Sequence, residues 1–235
     1  MTQVLNHVAV IPDGNRRWAK ARGLKPWQGH REGFSRIDEL LDVFFEEKIK
    51  FFSLWGASID NLTKRDKREV DFLLSYLEER LNDLAKEKKI HEYKVRIRVL
   101  GFWPQYVPKS LQQAIIKAQK ATEKYSHYNL TLFLAYDGRQ EILRAVNHIA
   151  QDIRHRDIFH CDEAHLKQNL LTKDLPPVDL LIRTGGEPHL SGGFMLWDIA
   201  DAQLYFTDKY FPEFDKDELK KTIEDYKKRE RRFGA

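Results

Sequence analysis

Short apolar runs bounded by turn residues alternate along this chain with longer stretches in which apolar residues return every three or four positions. Val8–Ile11, Phe51–Trp55, Val95–Leu100, Leu130–Ala135 and Val178–Ile182 read as strands, with another near Gln203–Phe206. Ile37, Leu40, Leu41 and Phe44 share one face of a helix, and Val70, Leu73, Leu74, Leu77, Leu81 and Leu84 repeat that spacing over a longer stretch. Leu111, Ile115, Ala118 and Thr122 mark a third helix, and Ile142, Ala145, Val146 and Ile149 a fourth. Strands alternating with helices predict an α/β fold, a central parallel sheet covered by helices. No linker rich in Pro, Gly or Ser and no repeat interrupts the pattern, so residues 1–235 read as one domain.

Composition narrows the partners. Apolar residues make up 42% of the 235 positions and charged residues 32%, an ordinary globular balance. The net charge is only +4, which argues against a nucleic-acid partner and for a local basic site that takes a small anion. The single cysteine, Cys161, rules out an internal disulfide and suits a reducing, cytoplasmic setting. The first residues run straight into a strand-like segment without a long apolar stretch, so no signal peptide is expected. No apolar run approaches the ~20 residues that span a bilayer.

In open parallel sheets ligands sit beyond the carboxyl ends of the strands. Three segments that carry unusual chemistry fall there. Asp13-Gly14-Asn15-Arg16-Arg17-Trp18 follows the first strand, Trp55 to Asn61 the second, and Arg183-Thr184-Gly185-Gly186-Glu187 the strand at Val178. Gly14 permits close backbone approach, Arg16 and Arg17 offer charge-assisted hydrogen bonds to phosphate oxygens, and Asp13 can hold a divalent cation that bridges to phosphate. A strand-ending turn with a solvated helix start accounts for the same residues. The loop from Arg183 to Gly193 sets an arginine, a carboxylate (Glu187), an imidazole (His189) and a hydroxyl (Ser191) among four glycines, with apolar flanks that hold it to the core. Asp162-Glu-Ala-His165 spells a helicase motif, but no Gly-Lys-Ser/Thr phosphate loop supports it.

Taken in order, HVAVIPDGNRRWAK, GHREGF, VDLLIRTGGE, LYFTDKYFPEF and RERRFG resemble the cis-prenyltransferases, whose type member is undecaprenyl diphosphate synthase. The resemblance runs from His7 to Gly234. It implies a central parallel sheet of about six strands flanked by helices, in a homodimer. It also implies a reaction: an allylic diphosphate such as farnesyl or geranylgeranyl diphosphate is joined to isopentenyl diphosphate, giving a Z-polyprenyl diphosphate and free diphosphate. By matching, Asp13 is the Mg2+-linked carboxylate and Gly14, Asn15, Arg16, Arg17 and Trp18 form the donor cradle. Asn15 and Asn61 stand near the reacting carbon, with His30, Ser58 and Lys64 in substrate contact. Arg183, His189 and Ser191 fall in the acceptor site, and Arg232 and Gly234 reach the partner subunit's diphosphate. A greasy tunnel follows from a growing prenyl chain. A long helix from Arg65 to about Lys88 walls it, with Phe72, Leu73, Tyr76 and Leu77 as lining or ordinary core. The lipid product implies peripheral membrane association.

Several positions depart from the family pattern. Ala57-Ser58-Ile59-Asp60-Asn61-Leu62 stands where Phe-Ser-x-Glu-Asn-Trp is common, and Lys64 aligns with an arginine. Another arginine aligns with Pro26, beside Lys25. His189 takes the place of a second acceptor-side arginine, and Gln203 that of a Mg2+-linked glutamate, for which Asp198 or Asp201 could substitute. Asn-Tyr-Gly-Gly-Arg reads Ala135-Tyr136-Asp137-Gly138-Arg139, preceded by bulky Phe133 and Leu134 that would narrow the tunnel. These departures open two alternatives: the same donor chemistry with an atypical acceptor or short product, and a non-catalytic subunit of a prenyltransferase complex.

Overall fold

The structure, a computed structural model, describes residues 4–156 and 161–229. Six strands, β1 (His7–Ile11), β2 (Phe51–Ala57), β3 (Val95–Leu100), β4 (Tyr128–Leu134), β5 (Leu180–Arg183) and β6 (Gln203–Phe206), form one parallel sheet in the order β3-β4-β2-β1-β5-β6. Among the described residues the helices are α1 (Asn15–Ala21), α2 (Pro26–Glu46), α3 (Ile59–Lys64), α4 (Lys67–Leu84), α5 (Lys88–Glu92), α6 (Lys109–Thr122), α7 (Gly138–Arg156), α8 (Glu163–Asn169) and α9 (Lys216–Lys228).

Both sheet faces are covered, which is why the central strands are near-continuous in apolar residues. Val8 and Val10 of β1, with Phe52 and Leu54 of β2, enter a core built with α2, α4, α6 and α9. The alternate residues Ala9, Ile11 and Trp55 point the other way, into a second cluster with Phe133, Tyr136, Phe194 and Met195. At the edge, β3 keeps strict alternation, with Arg96 and Arg98 half-exposed between buried valines and an isoleucine.

Every predicted strand is present, Val95–Leu100 and Gln203–Phe206 with the predicted bounds and the others with shifted ends. Leu130–Ala135 stops at Leu134 because Ala135 adopts a positive φ of 49° and turns the chain. Val178–Ile182 starts two residues late; the Asp179 carboxylate is bonded to the backbone N–H groups of Asn6 and His7 at 2.9 Å each. The long helix expected from Arg65 to Lys88 is shorter. Arg65 is extended (φ −78°, ψ 162°) and Asp66 caps α4 by accepting from the Arg68 N–H at 3.0 Å, so the helix runs only from Lys67 to Leu84. The face read on α7 is partly covered, since Ala145 and Ile149 are buried and Ile142 is half-buried while Val146 is exposed. Asp162 is a helix cap for α8 and not part of a helicase motif. Among the described residues no helix is long and apolar enough to cross a membrane.

Candidate active site

The chain leaves β1 toward β2 on one side of the sheet, while β5 lies on the other side of β1. This reversal opens a crevice at the carboxyl ends of β1 and β5, the place where open α/β sheets take ligands. A cavity of about 940 Å3 lies there; the segments after β1 and β2 line it directly, and the loop that follows Arg183 reaches it through Ser191 and Gly192. The polar part of its lining includes Asp13, Arg16, Arg17, His30, Arg65 and Ser191, and the apolar part Phe34, Ile37, Leu54, Leu73 and Phe211.

Asp13 is the hub of the polar part. Its Oδ1 accepts from the Gly14 N–H at 2.6 Å and pairs with Arg17 at 3.2 Å, while Oδ2 pairs with Arg183 at 2.9 Å. Gly14 holds φ +97°, and a Cβ there would lie 2.5 Å from the Tyr210 ring, so glycine is required. Arg183 is almost fully buried. It also donates to the His189 carbonyl and, at 2.7 Å, to Ser191 Oγ, which ties the glycine-rich loop to β5. Arg17 reaches Glu187 at 3.3 Å across the crevice.

A second charge centre faces the same cavity. Glu69 of α4 is 3% exposed, and two arginines and a histidine surround it: His30 Nε2 at 3.1 Å, Arg16 Nε at 3.4 Å and Arg65 Nη1 at 3.4 Å. Burial by itself raises the Glu69 pKa. The His30 hydrogen bond and the charges of Arg65 and Arg16 outweigh it and hold the carboxyl below its ordinary value. Glu69 is therefore ionised and fixes the three groups side by side.

Two clusters of basic side chains, one held by Asp13 and one by Glu69, with an apolar lining suit a diphosphate with a hydrocarbon tail. The sequence matches the undecaprenyl diphosphate synthase family of prenyltransferases over residues 11–234. The chain belongs to the cis-prenyltransferases. A tritrans,polycis-undecaprenyl-diphosphate synthase (geranylgeranyl-diphosphate specific) of Pyrococcus horikoshii is 43% identical over 230 residues, 97% of this chain and 86% of that protein. The corresponding Methanopyrus kandleri synthase is 41% identical over 234 residues, 99% of this chain and 85% of its own. The crystal structure of lavandulyl diphosphate synthase from Lavandula x intermedia with dimethylallyl diphosphate superposes with a TM-score of 0.92 at 34% identity, covering 99% of both chains. As a cis-prenyltransferase the chain is an enzyme that condenses an allylic diphosphate with isopentenyl diphosphate to a Z-polyprenyl diphosphate.

The cis-prenyltransferase site brings most of the expected residues together. Asp13, Gly14, Asn15, Arg16, Arg17, His30, Ser58, Asn61 and Ser191 all line the cavity. Ser58 and Asn61 form a reciprocal cap at the start of α3: the Asn61 N–H donates to Ser58 Oγ at 3.0 Å, and the Ser58 N–H to Asn61 Oδ1 at 3.3 Å. Asn15 donates to the Pro12 carbonyl at 2.9 Å and is wedged against α2, where a Cβ on Gly33 would lie 2.2 Å from its Oδ1.

Other expectations need correction. Lys64 does not line the cavity; it is exposed and pairs with Asp60 at 2.7 Å. The cation that faces inward is Arg65, because α3 ends at Lys64 and the next residue turns back in extended conformation. Trp18 lies outside the cavity under the Arg22 guanidinium, 4.5 Å from its ring centroid. His189 is mostly exposed and supports the loop: its Nδ1 accepts the Ser191 N–H at 3.0 Å and its carbonyl serves Arg183. Gln203 pairs in register with Leu180 at the amino end of β6, whereas Asp13 lies beyond Ile11, which pairs with Arg183 at the carboxyl end. Within one chain it therefore stands at the opposite end of the sheet from Asp13. Asp198 cannot substitute, being buried and bonded to Lys167. Of the tunnel candidates only Leu73 lines the cavity; Phe72 and Tyr76 stack on each other, and Leu77 is in the core. Phe133 does not narrow the tunnel, because it points to the opposite sheet face from Leu54 and Leu73. Arg232 and Gly234 lie outside the described residues.

Sequence reasoning assigned no site role to Glu69, Arg65 or Asp137, all three at or beside the cavity, and named Trp55 only as the start of its segment. The i,i+4 spacing of Arg65 and Glu69 was a readable sign of their pairing. Nothing local marks Asp137, which the Ser191–Gly192 loop meets beside Trp55 only in the folded sheet.

Proposed function

We propose that this cis-prenyltransferase uses geranylgeranyl diphosphate as donor and extends it with isopentenyl diphosphate to a long Z-polyprenyl diphosphate. The observation that carries the reading is the pairing of Asp13 with both Arg17 and Arg183 across the β1/β5 crevice. It sets one carboxylate between two half-sites. The names of the archaeal relatives, which are 41–43% identical, support the choice of donor.

In this reading Arg16, Arg17, His30 and Arg65 bind the donor diphosphate by charge-assisted hydrogen bonds. The prenyl tail lies along Phe34, Ile37, Leu54 and Leu73, out of water. Arg183 and Ser191 hold the acceptor diphosphate, while Asn15 and Asn61 orient the reacting carbons. The acceptor's terminal alkene carbon attacks the donor's C1 as the donor diphosphate leaves. A proton is then lost from the acceptor's C2, which moves the double bond. Among the described residues no three His, Cys, Asp or Glu side chains converge, and Asp13 is the shared carboxylate. That donor set fits Mg2+, which binds through one or two carboxylates plus substrate phosphates. Asp13 would hold it, and the chemistry it supplies when bound is charge stabilisation on the departing diphosphate.

The dimer belongs to the same proposal. Leu143 and Val146 of α7 and Leu204 of β6 are exposed apolar side chains of the kind a second subunit covers, and Arg232 and Gly234 would then serve the neighbouring site. A cytoplasmic, peripherally membrane-associated, single-domain enzyme is consistent with this. The test is product analysis by mass spectrometry, with dimethylallyl, farnesyl and geranylgeranyl diphosphates each offered with isopentenyl diphosphate. Long products, formed fastest from geranylgeranyl diphosphate, are expected. A single irregular condensation product from dimethylallyl diphosphate, or no turnover with any donor, overturns the reading.

A further inference from the structure

One corner of the cavity holds a carboxylate that the reading above does not use. Asp137 follows β4 and caps α7: its Oδ1 accepts the N–H groups of Arg139 at 2.9 Å and Gln140 at 3.0 Å. This fixes the side chain. The other oxygen, Oδ2, points at Gly192, where a Cβ would lie 3.0 Å from it and 3.4 Å from the Trp55 ring. The bare Gly192 thus leaves a small open corner between a carboxylate oxygen and an indole edge, and all three residues line the cavity. The loop is anchored there by the Gly138 N–H, which donates to the Gly192 carbonyl at 3.2 Å. Among the described residues no cation pairs with Asp137.

The neighbouring residue, Ser191, belongs to the acceptor half and accepts from Arg183. Arg183 in turn is already paired with Asp13. A second diphosphate entering beside Arg183 and Ser191 therefore meets an arginine whose charge is shared and a carboxylate whose charge is not. An anion and a carboxylate repel each other in such a recess unless a divalent cation lies between them. Gln203, a neutral amide, stands at the other end of the sheet and brings no such charge.

We infer that Asp137 is a second carboxylate of the reaction centre, one that engages a divalent cation together with the acceptor diphosphate through Oδ2. This rests on the Mg2+-assisted reading above. It makes tight acceptor binding in this enzyme more dependent on the metal than Arg183 and Ser191 alone would.

Asp137→Asn tests it, because asparagine caps helices as well as aspartate does and removes only the charge. Manganese binding to the intact protein is followed by electron paramagnetic resonance with inorganic diphosphate present, and Mg2+ dependence is followed by turnover. Asp137→Asn is expected to weaken manganese retention about tenfold and to raise the half-saturating Mg2+ concentration similarly, with the melting temperature unchanged. Asp137→Glu is expected to recover part of both. Asp13→Asn is the comparator. If it loses manganese while Asp137→Asn retains it within twofold, the inference about Asp137 is wrong and the proposed function stands. If the wild-type protein retains no manganese with diphosphate and turns over without added metal, the Mg2+ reading itself fails, and this inference with it.

Discussion

Replacing Glu69 removes the anion that holds Arg16, Arg65 and His30 together at the donor end. Its partners lie at 3.1–3.4 Å, and its side chain is 4% exposed. Removing one partner of a buried ion pair costs about 3–5 kcal/mol, because the other charge is left without compensation. The cost here is smaller. Arg16 is 57% exposed and regains water, and Arg65 is 22% exposed and regains part. We expect a loss of about 2–3 kcal/mol for Glu69→Ala. Glu69→Gln keeps an acceptor for His30 and should lose about 1–2 kcal/mol. At roughly 2–4 °C per kcal/mol for a chain of this size, the alanine variant should melt about 4–12 °C lower. The functional consequence is separate. Without Glu69, Arg16 and Arg65 repel each other and leave the geometry that two diphosphate oxygens need. The donor KM should rise about tenfold in Glu69→Gln, equivalent to about 1.4 kcal/mol. Urea unfolding and initial rates over a range of donor concentrations measure the two effects. A Gln variant within 0.5 kcal/mol of wild type and within twofold in donor KM refutes the reasoning. So does a lower donor KM, which would show that surplus positive charge matters more than its placement.

His7 is fully buried between Pro176 and Ser53, and burial depresses its pKa from 6.5 to about 4. The unfolded chain then binds the extra proton between these values, so stability is complete above pH 6.5 and falls as pH drops toward 4, by about 3 kcal/mol in total. Stability curves of wild type and His7→Gln should therefore converge on acidification, and parallel curves between pH 4 and 6.5 would exclude this role for His7. Gly33→Ala should cost about 1–3 kcal/mol and impair turnover, since the new Cβ would meet Asn15 Oδ1 at 2.2 Å; an unperturbed melting temperature contradicts this. Arg65→Ala should raise the donor KM about tenfold while Lys64→Ala stays within twofold, a contrast that steady-state kinetics reads directly and that equal effects would overturn. Asp13→Ala should reduce kcat at least a hundredfold with the fold retained by circular dichroism, and unchanged turnover would remove Asp13 from the reaction centre.

The alternation of apolar runs and helical spacings determined the fold class and every strand, because a parallel sheet buried on both faces leaves its signature in consecutive residues. Asp13, Arg17 and Arg183 were legible for a related reason. Asp13 and Arg183 sit within two residues of a strand's carboxyl end and Arg17 in the first turn of the helix that follows, and strand ends converge in any open sheet. Glycines at 14 and 33 were equally written into the chain, but what they make room for, Tyr210 and Asn15, was not. Tertiary structure decided the rest. Whether Lys64 or Arg65 faces the donor depended on where α3 stopped, a matter of one residue at a cap. Gln203 left the metal's neighbourhood because strand register placed it at the amino end of β6. Glu69 became the shared partner of Arg16, Arg65 and His30, and Asp137 part of the cavity, only when segments distant in sequence packed together. Hydrophobic periodicity is local and survives in the sequence; the position of a charge relative to another depends on caps, registers and loop paths, which only the folded chain fixes.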